Sequence, residues 1–110
     1  MVLKYFTYFT FFALVTNACS SSTETDLQVQ QETPQEKGAS LYSMHCAQCH
    51  GEDGKLGSSG AKDLSISRLT DVQIIQLIKN GKNAMPPMEA LLETQENVNL
   101  VVAHIKTLRK

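Results

Sequence analysis

Three residues, Cys46, Cys49 and His50, carry the clearest chemical signal in this sequence. Two cysteines three positions apart, followed at once by a histidine, form the pattern that attaches a c-type haem. On one turn of helix the two thiols project to the same side, where they can bond to two vinyl groups of a haem. The neighbouring histidine can then bind the iron as an axial ligand. The motif therefore predicts covalent haem attachment.

Other chemistry uses the same residue types. Two thiols at this spacing can act as a dithiol redox pair, or as two of the four ligands of a zinc ion. A zinc site would need further soft ligands, and the chain has only three cysteines in all. A thioredoxin-like dithiol is expected in a βαβ unit, and no such pattern is visible. Haem attachment is favoured over both alternatives, which stay open on the motif alone.

Residues 1–18 have the pattern of a segment that directs export. Lys4 precedes an apolar run of 11 residues, Tyr5–Val15, whereas a membrane-spanning helix needs about 20. Cys19 follows Ala18 directly, which resembles the signal of bacterial lipoproteins, in which the cysteine is acylated. We therefore expect residues 1–18 to be removed and Cys19 to carry a lipid. Because Thr16 and Asn17 depart from that pattern, ordinary cleavage after Ala18 or an uncleaved anchor remain alternatives.

Composition separates a polar tether from a small domain. Residues 19–37 combine Cys19 with a stretch rich in Ser, Thr, Gln and Glu, without apolar periodicity, which predicts a disordered tether. Residues 38–110 form the domain, in which Tyr42 is the only aromatic residue, because the other six of the seven lie in the export segment. A covalently held haem would supply the apolar centre that such a small domain lacks. The net charge of −1 argues against nucleic acid as a partner.

Helical periodicity predicts three main helices and an all-α fold. The first helix is expected at Gln35–Cys49, the second at Thr70–Asn80 and the third at Thr94–Leu108. The stretch Glu52–Asp63 between the first two is rich in glycine and predicts a loop.

Over residues 36–110 the chain resembles the class I cytochromes c, and is similar to short bacterial carriers of the cytochrome c6 and cbb3-oxidase-subunit types. Gly38 and Tyr42, followed by the cysteine–histidine motif, match the first helix of that family. Met85, followed by Pro86 in a loop after the second helix, matches the family's sixth-ligand loop. The resemblance implies a small class I cytochrome c fold, with three main helices around one covalently bound haem c.

The resemblance also implies roles for the iron ligands and the groups around them. His50 and Met85 would bind the iron from opposite sides, with Met88 as the competing methionine, and Leu64 would pack on the haem. In this family a backbone carbonyl accepts a hydrogen bond from Nδ1–H of the histidine ligand. That carbonyl would belong to Lys62, where the family usually has proline.

The positions of three further residues, Gly38, His104 and His45, can also be predicted. In the family, a glycine at the position of Gly38 lets the first helix cross closely over the C-terminal helix. His104 stands where the family usually has tyrosine and is expected to pack between helices. His45 is expected at the surface or at the edge of the haem.

The sequence thus predicts an electron carrier rather than an enzyme. Expected partners are redox proteins such as a respiratory oxidase or reductase, and the carrier itself is expected to be a monomer. It would be lipid-anchored on the periplasmic side of a bacterial membrane, or otherwise soluble in the periplasm. Four lysines are expected near the haem edge, where they would either steer an acidic partner or simply be solvated: Lys55, Lys62, Lys79 and Lys82. The alternatives are a small haem enzyme or ligand sensor with an open or displaceable sixth iron position, and a dithiol oxidoreductase.

Overall fold

The computed structural model describes residues 31–110, so the predicted export segment, Cys19 and most of the tether lie outside the described residues. All helices and turns of this part are built around one core, and none of its helices is long and apolar enough to cross a membrane. In chain order the helices are α1 (Pro34–His45), α2 (Ala47–His50), α3 (Asp71–Asn80), α4 (Glu89–Leu92) and α5 (Gln95–Thr107), with a 3₁₀ turn at Ser58–Gly60. The prediction of an all-α fold is confirmed.

The first helix begins with a capping box. The Thr33 hydroxyl accepts a hydrogen bond from the backbone N–H of Glu36, and the Glu36 carboxylate accepts one from the backbone N–H of Thr33 at 2.8 Å. Pro34 stands in the first turn, where its missing N–H costs nothing. The first residues of α1 therefore fall within the stretch that the composition assigned to the tether.

The predicted first helix is divided at Cys46. The backbone N–H of Cys46 still donates to Tyr42 O at 2.8 Å, but the φ of −116° at Cys46 ends α1. A new turn starts at once, because the N–H of His50 donates to Cys46 O at 3.0 Å. The two cysteines and the histidine thus lie in one short helical turn, which consists of α2 and its N-cap residue and is separate from α1.

The first and last helices of the described residues, α1 and α5, contact each other closely where they cross. A Cβ atom added to Gly38 would lie 2.6 Å from the backbone oxygen of Leu100, so only glycine permits this approach. The predicted close crossing of the first and last helices is confirmed.

The core is made of apolar side chains from α1, α3 and α5 and from the α4 region. Tyr42 is fully buried at its centre, together with Leu92 and Val101. The other buried apolar residues are Ile74, Ile78, Met88, Val98, Val102 and Ile105. On one side this core borders a large cavity.

Candidate functional site

A cavity of about 780 Å³ lies between α2, α3 and the loop that follows α3. The five residues predicted for cofactor binding all line it: Cys46, Cys49, His50, Leu64 and Met85. These residues span 40 positions of the chain, so the fold, rather than local sequence, brings them together.

The lining suits a large, mostly apolar cofactor. The apolar side chains around it come from α3, α4, α5 and the segment before α3: Leu69, Ile74, Leu77, Ile78, Leu91 and Ile105. Among the described residues that line it, the only formally charged side chains are Lys62 and Lys82. The volume falls in the range of about 300–1,000 Å³ that is usual for ligand and cofactor sites. Thiol, imidazole and thioether groups on apolar walls are the donor set of a haem c site, so these residues fit that group.

His50 is held in a fixed orientation by a backbone carbonyl. Its Nδ1–H donates to the carbonyl oxygen of Lys62, with 2.9 Å between nitrogen and oxygen. Because Nδ1 carries the proton, Nε2 keeps its lone pair and is free to bind a metal. The hydrogen bond expected at Lys62 is therefore present although the family's proline is not.

Local hydrogen bonds stiffen the backbone beside Lys62. The Asp63 carboxylate accepts hydrogen bonds from the backbone N–H of Ser65 at 2.8 Å and from its hydroxyl at 2.6 Å. The N–H of Leu64 donates to Gly54 O at 2.8 Å. The hydrogen bond from the Ser65 hydroxyl is the main reason why the pKa of Asp63 is lowered. The Asp63 side chain thus stabilises the turn that directly follows Lys62.

The two thiols differ in their surroundings. Cys46 is half-buried, Cys49 is exposed, and neither is in a disulfide. Burial raises the pKa of the Cys46 thiol to about 11. Reactive dithiol pairs depend on a lowered thiol pKa, so the surroundings of Cys46 disfavour the dithiol alternative.

The two methionines of the loop have different positions. Met85 is half-buried and lines the cavity, whereas Met88 is 8% exposed and belongs to the buried core. The backbone N–H of Met88 donates to Ile78 O at 2.8 Å, which ties this residue to α3. Met88 also borders the cavity, but its burial favours a packing role and leaves Met85 as the candidate ligand.

Tyr42 links α1 to the residue that follows His50. Its hydroxyl donates to Gly51 O at 2.7 Å, and its ring lies 4.8 Å from that of His104, centroid to centroid. His104 thus packs between α5 and α1, as expected. The hydrogen bond to Gly51 could not be predicted from the sequence, since a buried tyrosine can reach any nearby carbonyl.

The remaining predicted residues divide between the cavity and the rest of the surface. His45 lines the cavity, as do Lys62 and Lys82. Lys79 instead forms an ion pair with Glu89 at 2.9 Å, and Lys55 does not line the cavity.

Comparisons with known proteins agree with this geometry. A family model described as cytochrome C oxidase, cbb3-type, subunit III matches residues 33–105. The cbb3-type cytochrome c oxidase subunit FixP of Azorhizobium caulinodans is 30% identical over 81 residues, which are 66% of this chain and 26% of that protein. Cytochrome c-555 of Methylococcus capsulatus is 33% identical over 72 residues, 63% of this chain and 58% of that protein. The cbb3-type subunit CcoP of Rubrivivax gelatinosus is 36% identical over 76 residues, 64% of this chain and 25% of that protein.

Proposed function

Because the chain belongs to the family of cytochrome C oxidase, cbb3-type, subunit III, its cofactor is a covalently bound haem c, and we propose that it carries single electrons between protein redox partners. It is a monohaem cytochrome of electron transfer, with one cysteine–histidine motif in the sequence. The chain spans about a quarter of each of the two oxidase subunits and 58% of cytochrome c-555, so the partners and location that follow are proposals.

One observation carries the proposal: two cysteines, a histidine and a methionine border a single apolar cavity. In it, Cys46 and Cys49 would hold the haem covalently, and Leu64 would pack against it. When bound, the haem supplies an iron that cycles between the ferric and ferrous states.

The protein groups on either side of the iron would set its chemistry. Nε2 of His50, oriented through Nδ1 by Lys62 O, would bind the iron. The soft thioether of Met85 would be the second protein ligand, and a thioether favours the ferrous state and raises the reduction potential. With both side chains bound, no position on the iron would remain for a substrate, which suits a carrier rather than an enzyme.

The setting of this carrier is the cell envelope in our proposal. Residues 1–18 would direct export, Cys19 would carry a lipid, and the polar stretch before α1 would tether the domain on the periplasmic side of a bacterial membrane. The names of FixP and CcoP, which are cbb3-type oxidase subunits, support a respiratory oxidase as partner. Lys62 and Lys82 at the cavity support an acidic docking face on that partner.

A comparison of two methionine variants tests the carrier function. The protein would be produced with its haem attached, and its ferric absorption spectrum would be recorded. We expect a low-spin spectrum with a methionine-to-iron charge-transfer band that disappears in Met85→Ala. The band should persist in Met88→Leu, which keeps the packing volume of the core. A high-spin spectrum of the unmodified protein would instead support the alternative of a haem enzyme or ligand sensor with an open iron.

The intact mass of the full-length protein tests the envelope setting. Addition of one haem and of acyl groups, with loss of residues 1–18, is the expected result. Cys19→Ser should remove the acyl mass and release the protein from membranes while leaving the haem mass in place. An unmodified Cys19 in a membrane-bound protein would contradict the lipid anchor.

A further inference from the structure

The loop that carries Met85 is bonded to α3 at its two ends and is closed by backbone hydrogen bonds between them. The N–H of Gly81 donates to Leu77 O at 2.8 Å and closes the helix. Lys82 and Met85 then exchange two backbone hydrogen bonds, of 2.9 and 3.0 Å. Beyond Met85, the N–H of Met88 donates to Ile78 O at 2.8 Å. The backbone of Met85 is therefore held from both sides within a short, closed loop.

Gly81 lies against this loop with no space for a side chain. A Cβ atom there would lie 2.5 Å from Met85 O and 2.8 Å from Pro86 C and Pro87 N. All three are backbone atoms, so no side-chain rotation can relieve the contact. The φ of +69° at Gly81 is also one that residues with a Cβ rarely adopt.

We propose that Gly81 is a positioning residue for the sixth iron ligand: its bare Cα forms the surface against which the Met85 loop closes. The inference rests on the proposed function, in which the Met85 sulfur binds the iron. In a closed loop, this sulfur is presented in place before the bond forms, and little ordering cost remains. Any side chain at position 81 would push the Met85 backbone away and weaken the iron–sulfur bond.

Imidazole as an added ligand measures how firmly Met85 is held. Imidazole binds the iron only in molecules whose methionine has left it, so its apparent affinity scales with the fraction of such molecules. In the ferric protein with haem attached, we expect Gly81→Ala to bind imidazole at least about tenfold more tightly, which corresponds to about 1.4 kcal/mol. The methionine charge-transfer band should weaken in parallel.

Gly57→Ala is the control for an alanine at a glycine with positive φ. Gly57 has φ +67°, and the nearest atom to an added Cβ is Ala61 O at 3.8 Å. Because its ψ is 20°, whereas that of Gly81 is 172°, a region open almost only to glycine, this variant bears less backbone strain than Gly81→Ala, and it does not touch the Met85 loop. We expect its imidazole affinity and its charge-transfer band to match those of the unmodified protein.

A second variant covers the case in which Gly81→Ala does not fold. Asn83, with φ +55°, lies between Lys82 and Met85 in the same turn, and Asn83→Ala should raise imidazole affinity in the same direction but less. If Gly81→Ala folds and its affinity for imidazole is unchanged, the positioning role is overturned. If Gly81→Ala does not fold, an unchanged affinity in Asn83→Ala overturns it. If Met85→Ala leaves the charge-transfer band intact, the proposed function itself fails. A band lost in Met85→Ala together with unchanged imidazole binding in Gly81→Ala rejects only the role of Gly81.

Discussion

The Nδ1 atom of His50 lies 2.9 Å from the carbonyl oxygen of Lys62, and the side chain of the next residue, Asp63, is fixed by hydrogen bonds of its own. Asp63 accepts two hydrogen bonds from Ser65, which is buried at 3% exposure. We therefore expect the hydrogen bond that orients His50 to depend on a carboxylate that titrates, whereas a proline would be insensitive to pH.

Asp63→Asn should make the domain less stable at neutral pH and its stability less dependent on pH. Because the pKa of Asp63 is lowered in the folded protein, its stabilising contribution is present above the unfolded pKa of about 3.9. That contribution is lost as the pH falls through the folded pKa. Denaturant unfolding of both proteins from pH 7 to pH 3 measures their free energies of unfolding. The difference between the two proteins should be largest at pH 7 and shrink in acid.

Asp53→Asn serves as the control for this change. The Asp53 carboxylate also accepts a backbone hydrogen bond from the residue two positions on, Lys55, at 3.1 Å, but it does not adjoin the carbonyl that holds His50. The reduction potential should shift in Asp63→Asn and stay near that of the unmodified protein in Asp53→Asn. Equal potentials in all three proteins would contradict a role of Asp63 in orienting the histidine.

Tyr42→Phe should destabilise the domain through the loss of one hydrogen bond. The Tyr42 hydroxyl donates to Gly51 O at 2.7 Å, and this oxygen also accepts a hydrogen bond from the N–H of Gly54 at 3.1 Å. Because Gly51 O keeps that second partner, the loss of the hydroxyl should cost about 0.5–1.5 kcal/mol. Urea unfolding measures the loss. Ser43→Ala is the neighbouring control, since its hydroxyl bonds Glu52 at an exposed position and should cost less than about 0.5 kcal/mol.

The raised pKa of Tyr42 leads to a further prediction, about the stability of the domain in alkali. Burial is the main cause that raises the pKa of Tyr42 to about 12. A raised pKa means stability that is complete below the unfolded value of about 10 and is lost as the pH rises towards 12. The fall in stability across this interval should be smaller in Tyr42→Phe. Equal slopes in the two proteins would show that folding does not raise the pKa of Tyr42.

Gly38→Ala should lower stability although alanine favours helices. The helix propensity alone would add about 1 kcal/mol, but the new Cβ would lie 2.6 Å from Leu100 O on α5. Overpacking of this kind costs about 1–3 kcal/mol or more, so the net change should be destabilising. Ser40→Ala, at an exposed position of α1, should be neutral or slightly stabilising. A stabilised Gly38→Ala would mean that α1 and α5 can separate at little cost.

Part of the site could be predicted from local sequence, because its chemistry is local. Cys46, Cys49 and His50 are adjacent in the chain, and Met85 is marked by the proline and glycine around it. The prediction that these residues converge on one site depended on the resemblance to a known family, because the periodicity of the helices does not show how they pack.

Other features could not be predicted because they arise from tertiary contacts or short segments. The break at Cys46 depends on backbone hydrogen bonds rather than on a proline or glycine. The α4 helix, Glu89–Leu92, has four residues, too few for a periodic pattern. The contact of Gly81 with Met85 O, likewise, follows from the path of the loop and has no signature beyond a glycine after a helix.

Charge reversal at the cavity should slow reaction with an acidic redox partner. Lys82→Glu and Lys62→Glu place a negative charge among residues that line the cavity. We expect at least a severalfold lower rate of electron transfer at low salt, and a difference that shrinks as salt screens the charges. Stopped-flow kinetics with a candidate oxidase measures this. Lys55→Glu, which lies outside the cavity lining, should have a smaller effect, and rates that do not differ would indicate solvated lysines without a steering role.

His104→Phe should make the domain more resistant to mild acid. The ring of His104 packs on Tyr42 of α1, and burial is the main cause that lowers the pKa of His104, while the charge of Glu52 raises it. A lowered pKa means stability that is present above the unfolded value of about 6.5 and is lost as the pH falls through the folded value. Urea midpoints should therefore fall less between pH 7 and pH 5 in His104→Phe. Glu52→Gln should have the opposite effect, since it removes the charge that favours protonated His104. Parallel pH profiles in the three proteins would contradict this account, because His45 and His50 are unchanged in all of them.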